Sequence, residues 1–301
     1  MRTEDLGLAL RKLDGFIFGS AFVFLFGSFG VNEGKDKFFR AFVMSSLFVM
    51  ILTIFYKAAF GFWDREVRFF LNGPIVFGWL MAMSSLISVV CAQRNGRANF
   101  YIYSFLFVLA LLWTGSKGPI VGWFAGISYL LYSYGMLTRF PLFLIGTFFL
   151  SFILYEYGLL PERFLVIERL LAGNLLDSDF GSIGIRQLMF FDSWELFKDN
   201  YLIGLGLGNW GTNSELSVYY GAGIIYPHNI VAELLSEHGI IGCSVLSLLF
   251  TYVFRHISVL GRAVFTAMLI SLLFTGDMGY WHFLIALPLA ISAKRKERSA
   301  Q

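Results

Sequence analysis

The chain is poor in charge. Only 14% of its 301 residues are Asp, Glu, Lys or Arg, against about 25% in a soluble domain. So few ionic groups cannot clothe a water-exposed surface of this size, which argues against a soluble globular protein. The net charge of +3 is too small to imply nucleic acid, and no nucleic-acid partner is expected. Cysteine is nearly missing. Cys91 and Cys243 both lie inside apolar runs and are expected as buried small hydrophobes without a disulfide. No cysteine cluster is available for a metal site, and no metal or other cofactor is expected. Repeats and low-complexity tracts are also absent.

What the chain has instead is apolar length. Hydrophobic residues make up 57% of it, with 35 Phe, arranged in runs that approach the roughly 17–25 residues of a membrane span. Candidate spans are 15–31, 41–58, 71–92, 100–114, 119–137, 141–157, 240–255, 263–276 and 280–293. The last two are short enough to form a re-entrant hairpin split by "GDMGYW". The stretch from Gly15 has no small-residue cleavage site after it and is expected as a retained span, not a signal peptide. The expected fold is all-α, a polytopic transmembrane helical bundle of about nine segments in contact with membrane lipids. Residues 1–157 would form an N-terminal membrane bundle and 158–239 one long hydrophilic loop with short amphipathic helices. Residues 240–301 would supply the C-terminal membrane segments and a basic tail. Lys and Arg in the short connections orient such a bundle. The tail "KRKER", with Arg255, Arg262 and Arg139, belongs on the cytoplasmic side. That places the long loop, the connection "GSKGP" and the N-terminus outside.

The outer side carries the unusual polar residues. In "YPHNIVAELLSEHGIIG", residues 226–242, Pro227 suits the first turn of a helix and Gly239 the residue past its end. On the wheel between them Ile230, Val231, Leu234 and Leu235 share one half. His228, Asn229, Glu233, Ser236 and Glu237 share the other, as in an interfacial helix with a solvated polar face. The dipole-positive start at His228 and Asn229 favours an anion. His228 and His238 point to different sides, which disfavours a shared metal.

Upstream, "GIRQLMFFDSWELFKDN" is a second helix over roughly 185–199. It sets Arg186 in an apolar arc with Met189, Phe190, Ser193, Trp194 and Phe197. An arginine there either snorkels to headgroups or turns its guanidinium fork toward a phosphate. Next, "NYLIGLGLGNWG" spaces Gly204, Gly206 and Gly208 by two. It lacks the strand and helix of a dinucleotide site and is expected as a tight loop. In "WTGSKGPIVGW", Lys117 stands where Gly118 and Pro119 open a span, unfavourable for the helix alone but sensible if both attract one anion. "DSD" at 177–179 is an acidic loop feature on the outer side.

Three of these segments resemble one family in order. "TGSKGPIVGWFAG" is similar to the Ser-Arg-Gly segment of the O-antigen ligase and polymerase superfamily of bacterial inner-membrane glycosyltransferases. "RQLMFFDSWELFKDNYLIGLGLGNW" resembles its Arg…Trp…Gly-x-Gly-x-Gly stretch, and "PHNIVAELLSEHGIIG" its Pro-His-Asn…Glu…Glu-x-Gly-x-x-Gly signature. The resemblance implies a metal-independent transferase of lipopolysaccharide biosynthesis. It would take a glycan from undecaprenyl diphosphate at the periplasmic face and pass it to an acceptor glycan or lipid A core. By that likeness His228 and Arg186 are the catalytic candidates, and Lys117 with Arg186 would hold the diphosphate. Asn229, Glu233 and Glu237 would orient the acceptor. Lys117 stands where the family usually has arginine, which removes a bidentate phosphate fork. The alternative is a transporter or flippase, which calls for ionisable residues at mid-membrane depth and internal repeats. Asp277, between two short apolar segments, is the one feature in its favour.

Overall fold

The computed structural model describes residues 6–33, 35–63, 67, 69–70, 73–136, 185–216, 226–276 and 278–292. Among them all regular structure is helical. The helices are α1 (Leu6–Glu33), α2 (Lys35–Phe60), α3 (Pro74–Asn95), α4 (Asn99–Trp113), α5 (Lys117–Ser133) and α6 (Ile185–Asp199). They continue as α7 (Trp210–Asn213), α8 (Ile230–His256), α9 (Val259–Thr275), a 3₁₀ turn (Met278–Tyr280), α10 (Trp281–Leu284) and α11 (Ala286–Ser292). Three segments, Asp36–Phe60, Pro74–Asn95 and Ile230–His256, are long and apolar enough to cross a membrane. Asn99–Trp113, Val259–Phe274 and His282–Ser292 are shorter apolar helices.

α3 is apolar around its whole circumference and is the buried centre of the bundle. Phe77, Trp79, Met81, Met83, Leu86, Ile87 and Val90 are all buried. One of its serines, Ser85, links it to both neighbouring helices, as a hydroxyl without water favours a protein partner. Ser85 Oγ lies 2.8 Å from Ser104 Oγ of α4, and the Trp123 indole of α5 donates to Ser85 Oγ at 3.1 Å. By contrast α2 exposes Phe48 and Phe55, and α8 exposes Val245, Leu248 and Tyr252. Apolar faces of that extent suit an apolar surrounding.

Among the described helices, α5 and α9 pack most extensively. Gly118, Gly122 and Gly126 recur every four residues along α5, and Ala263, Ala267 and Ser271 recur likewise along α9. Small side chains at that spacing let two backbones meet. A Cβ on Gly122 would overlap the Ser271 hydroxyl and the Ala267 carbonyl, and one on Gly126 would lie 2.9 Å from Ala263 O. Gly122→Leu is therefore expected to destabilise the protein by at least ~1–3 kcal/mol. Val121→Leu, on the outward face of the same helix, should leave the thermal midpoint in detergent near wild type.

α1 lies on the last of the described helices. A Cβ on Gly19 would meet the His282 ring and one on Gly27 would meet Ala290. This packing carries Lys12 to Glu233 and Glu237 of α8. The N-terminal end of α1 and the start of α8 therefore lie on the same side of the bundle.

Span boundaries differ from the sequence reading in several places: α1 begins at Leu6 and not at Gly15, and two later segments differ in kind. The segment 240–255 is the second part of a longer helix that begins at Ile230 and kinks at Gly239. The segment 280–293 is broken into a 3₁₀ turn and two short helices, because Gly279 and Pro288 interrupt any continuous ladder. The expected span 141–157, the acidic triplet at 177–179, Arg139, Asp277 and the basic tail lie outside the described residues.

Candidate functional site

The site is organised by one broken helix. Inside α8, Gly239 takes φ 61°, ψ −168°, so the regular bonds from the Ile240 and Ile241 amides to the Ser236 and Glu237 carbonyls are lost. Two donors and two acceptors are thereby released, and buried groups of that kind need partners. The glycine loop supplies all four. Ile240 N–H donates to Tyr201 O (2.8 Å) and Ile241 N–H to Leu202 O (3.2 Å). In return Leu205 N–H donates to Ser236 O (2.9 Å) and Gly206 N–H to Glu237 O (2.8 Å). The loop can follow this path because Gly204, Gly206 and Gly208 all carry positive φ, which costs glycine little.

The Glu237 carboxylate continues the stitching. Its Oε2 accepts from Gly208 N–H at 2.9 Å, and its Oε1 accepts from Trp210 N–H at 3.4 Å. Lys12 Nζ donates to the same Oε1 at 2.8 Å and also to Glu233 Oε1. Both carboxylates are fully buried. The helical wheel had assigned them to a solvated face, and the structure reverses this: Glu233 and Glu237 are 0% exposed while apolar Val231 is 42% exposed. The physical reason is Lys12, whose charge and hydrogen bonds compensate the two desolvated carboxylates.

At the other end of this helix sits the Pro-His-Asn turn. Asn229 is the N-cap. Its Oδ1 accepts from Val231 N–H (2.9 Å) and Ala232 N–H (3.0 Å), satisfying two of the free amides of the first turn. Its Nδ2 donates to Leu273 O on α9 at 2.9 Å. His228 precedes the cap in the left-handed region, at φ 54°, the one non-glycine residue with positive φ among those described. Strain of this sort persists where surroundings impose it and gathers at functional sites. The Tyr226 ring packs edge-on against the imidazole, centroids 4.4 Å apart. His228 Nδ1 is buried and has no hydrogen-bond partner among the described residues. Burial first, and then the positive charge of Arg186, push the imidazole down to about 4. His228 is therefore neutral at physiological pH.

Arg186, near the start of α6, is thus electrostatically coupled to His228. Met189 and Ser193 turn inward while Phe190, Phe191 and Trp194 are exposed, and Asp192 accepts a hydrogen bond from Ser214 just after α7. Lys117 begins α5. Ser116 before it makes no capping bond, and its hydroxyl is buried without a partner among the described residues. Gly118 O accepts from Ser271 Oγ at 3.2 Å, two residues along α9 from the Leu273 carbonyl that holds Asn229. The last turn of α9 therefore separates the start of α5 from the Pro-His-Asn turn and contacts both. His228, Arg186 and Asn229 are brought together, with Lys117 across that turn, whereas Glu233 and Glu237 serve internal bonds.

Sequence reasoning missed Lys12 and Ser116. An acidic pair at i and i+4 on a helix that packs inward signals a need for a cation. Its source 221 positions away in sequence carries no local signature. Ser116 was adjacent to the singled-out Lys117 and at a helix start, a signal that was available.

No curated protein and no solved structure matches the chain. Residues 102–247 match the O-antigen ligase family model, which supports membership of the O-antigen ligase and polymerase superfamily.

Proposed function

We propose that the protein is a membrane glycosyltransferase that moves a glycan from undecaprenyl diphosphate to an acceptor hydroxyl, as an O-antigen ligase or polymerase. The reaction would take place at the periplasmic face of the bacterial inner membrane, within a bundle of about nine segments whose loop 158–239 lies outside. The observation that carries this reading is His228, a neutral imidazole in a strained turn whose buried Nδ1 has no partner among the described residues. It lies beside a fixed guanidinium whose charge it feels. A base and a cation side by side are what attack by a hydroxyl on a diphosphate-activated sugar requires.

The chemistry balances as follows. The acceptor oxygen forms a bond to the anomeric carbon as the bond from that carbon to the diphosphate oxygen breaks. The electron pair leaves with the diphosphate, and the acceptor proton passes to His228. Attack opposite the leaving group inverts the anomeric centre. A diphosphate is already a good leaving group, so it needs positive charge more than a proton. Arg186 and Lys117 are assigned that role, each worth ~3–4 kcal/mol if its charge is aimed at the developing anion. The amides at the start of α5 and the Ser116 hydroxyl add donors on the Lys117 side. Asn229 orients the turn through its cap and its bond to α9.

The test is a gel of glycolipids from a deletion strain, beside the same strain complemented with wild type. Core carrying a single repeat unit identifies a polymerase. Bare core, with long polymer retained on its lipid carrier, identifies a ligase. Unchanged glycolipids in the deletion strain sink both.

A further inference from the structure

We infer that Lys12, outside the matched residues 102–247, is a positioning residue of the transfer site. The inference rests on the glycosyltransferase reading for its consequence, and on the geometry alone for the placement. Glu233 and Glu237 stand one turn apart on α8 and both are fully buried. Two like charges so placed repel each other without water to screen them. Lys12 is itself buried and donates to both. It is the shared counter-charge. His238 is the other titratable group that feels Lys12 and Glu237.

What this charge holds is specific. Glu237 is the acceptor for the Gly208 and Trp210 amides, and the glycine loop also pairs with the backbone of the kink. The same helix ends, toward its start, in the Asn229 cap and the His228 turn. A rigid path therefore runs from Lys12 through the two carboxylates and the first turns of α8 to His228, without Lys12 touching the imidazole. The depth of Lys12 is set by α1 packing on the C-terminal helices at Gly19 and Gly27. The N-terminal helix thus takes part in a site whose sequence motifs all lie far downstream.

The experiment uses the full-length protein in detergent and the complemented deletion strain. Two variants are compared, Lys12→Met and the double variant Lys12→Met/Glu233→Gln, which removes one charge of each sign. Amide hydrogen exchange is followed at residues 201–210, and glycan transfer is measured as kcat and as KM for the lipid-linked donor. Lys12→Met is expected to speed exchange at Gly206 and Gly208 by ~10–100-fold and to lower kcat by ~10–100-fold with little change in KM. The double variant should recover most of both. If the single variant does not fold, the double variant must fold, protect the loop and transfer glycan. Wild-type exchange and kcat in Lys12→Met overturn the inference, as does a double variant no better than the single one. A loop that responds as stated in a protein whose deletion leaves glycolipids unchanged sinks the transferase reading and leaves the placement of Lys12 standing.

Discussion

His228→Ala is expected to lower glycan transfer by ~10²–10⁴-fold, the range of a lost general base, with the fold intact. Among the described residues the side chain makes no hydrogen bond through Nδ1, so its removal breaks no network there. The pH profile then tells the base from a cation that merely binds phosphate. In the free protein burial and Arg186 depress the imidazole to about 4, so the neutral, proton-accepting form persists from neutrality down to that value. As pH falls through about 4 the imidazole becomes charged and can no longer accept a proton. The acid limb of kcat/KM, which reports the free enzyme, should therefore lie near 4. The bound diphosphate brings negative charge beside the imidazole and favours its protonated form. The acid limb of kcat should accordingly sit at higher pH than that of kcat/KM. Activity that rises on acidification, with no acid limb, would make His228 a cationic ligand of the diphosphate and end the general-base assignment.

The same residues show how far the sequence could be read. Local chemistry was legible. Pro227 was expected in the first turn of a helix, and a helix does start close by, but at Ile230 with Asn229 as its cap, so Pro227 and His228 lie in the turn before it. Gly118 and Pro119 predicted the opening of α5, and three glycines at alternate positions predicted a loop that needs positive φ. Gly239 was expected to end a helix. It does break the ladder, yet α8 continues beyond it, because the loop replaces every hydrogen bond lost. That replacement depends on residues more than thirty positions upstream, which periodicity cannot see. The helical wheel misplaced Glu233 and Glu237 for a related reason. Polarity tells which side chains prefer water only when no partner is supplied, and Lys12 supplies one. The ladder of Gly118, Gly122 and Gly126 against Ala263, Ala267 and Ser271 was present as a period of four in both segments. Small residues carry little weight in a hydropathy window, so span-finding passes over them.

Gly239→Ala should be strongly damaging for the addition of a single methyl. At φ 61°, ψ −168° the backbone lies in a region that is essentially glycine-only, which costs another residue about 1–3 kcal/mol. The methyl would also sit 2.5 Å from Leu202 C and 2.6 Å from Ile203 N. These are backbone atoms of the loop that donates and accepts across the kink, and they cannot rotate away as a side chain could. Relief of the overlap requires the loop to move back, which breaks its pairing with Ser236, Glu237, Ile240 and Ile241. Displacement of that kind by about 1 Å is enough to cost ~10²-fold in rate. Gly96→Ala separates the two causes. Gly96 has nearly the same φ, in the ordinary left-handed region at ψ 18°, and a Cβ there meets nothing within 4 Å. It should cost about 1–2 kcal/mol and leave transfer close to wild type. Gly239→Ala should abolish protection of the Leu205 and Gly206 amides, which donate to Ser236 O and Glu237 O, and reduce transfer to the level of His228→Ala. If Gly239→Ala instead behaves like Gly96→Ala in both exchange and transfer, the exchange of hydrogen bonds between loop and kink is dispensable. The catalytic turn must then be held by the Asn229 cap and α9 alone.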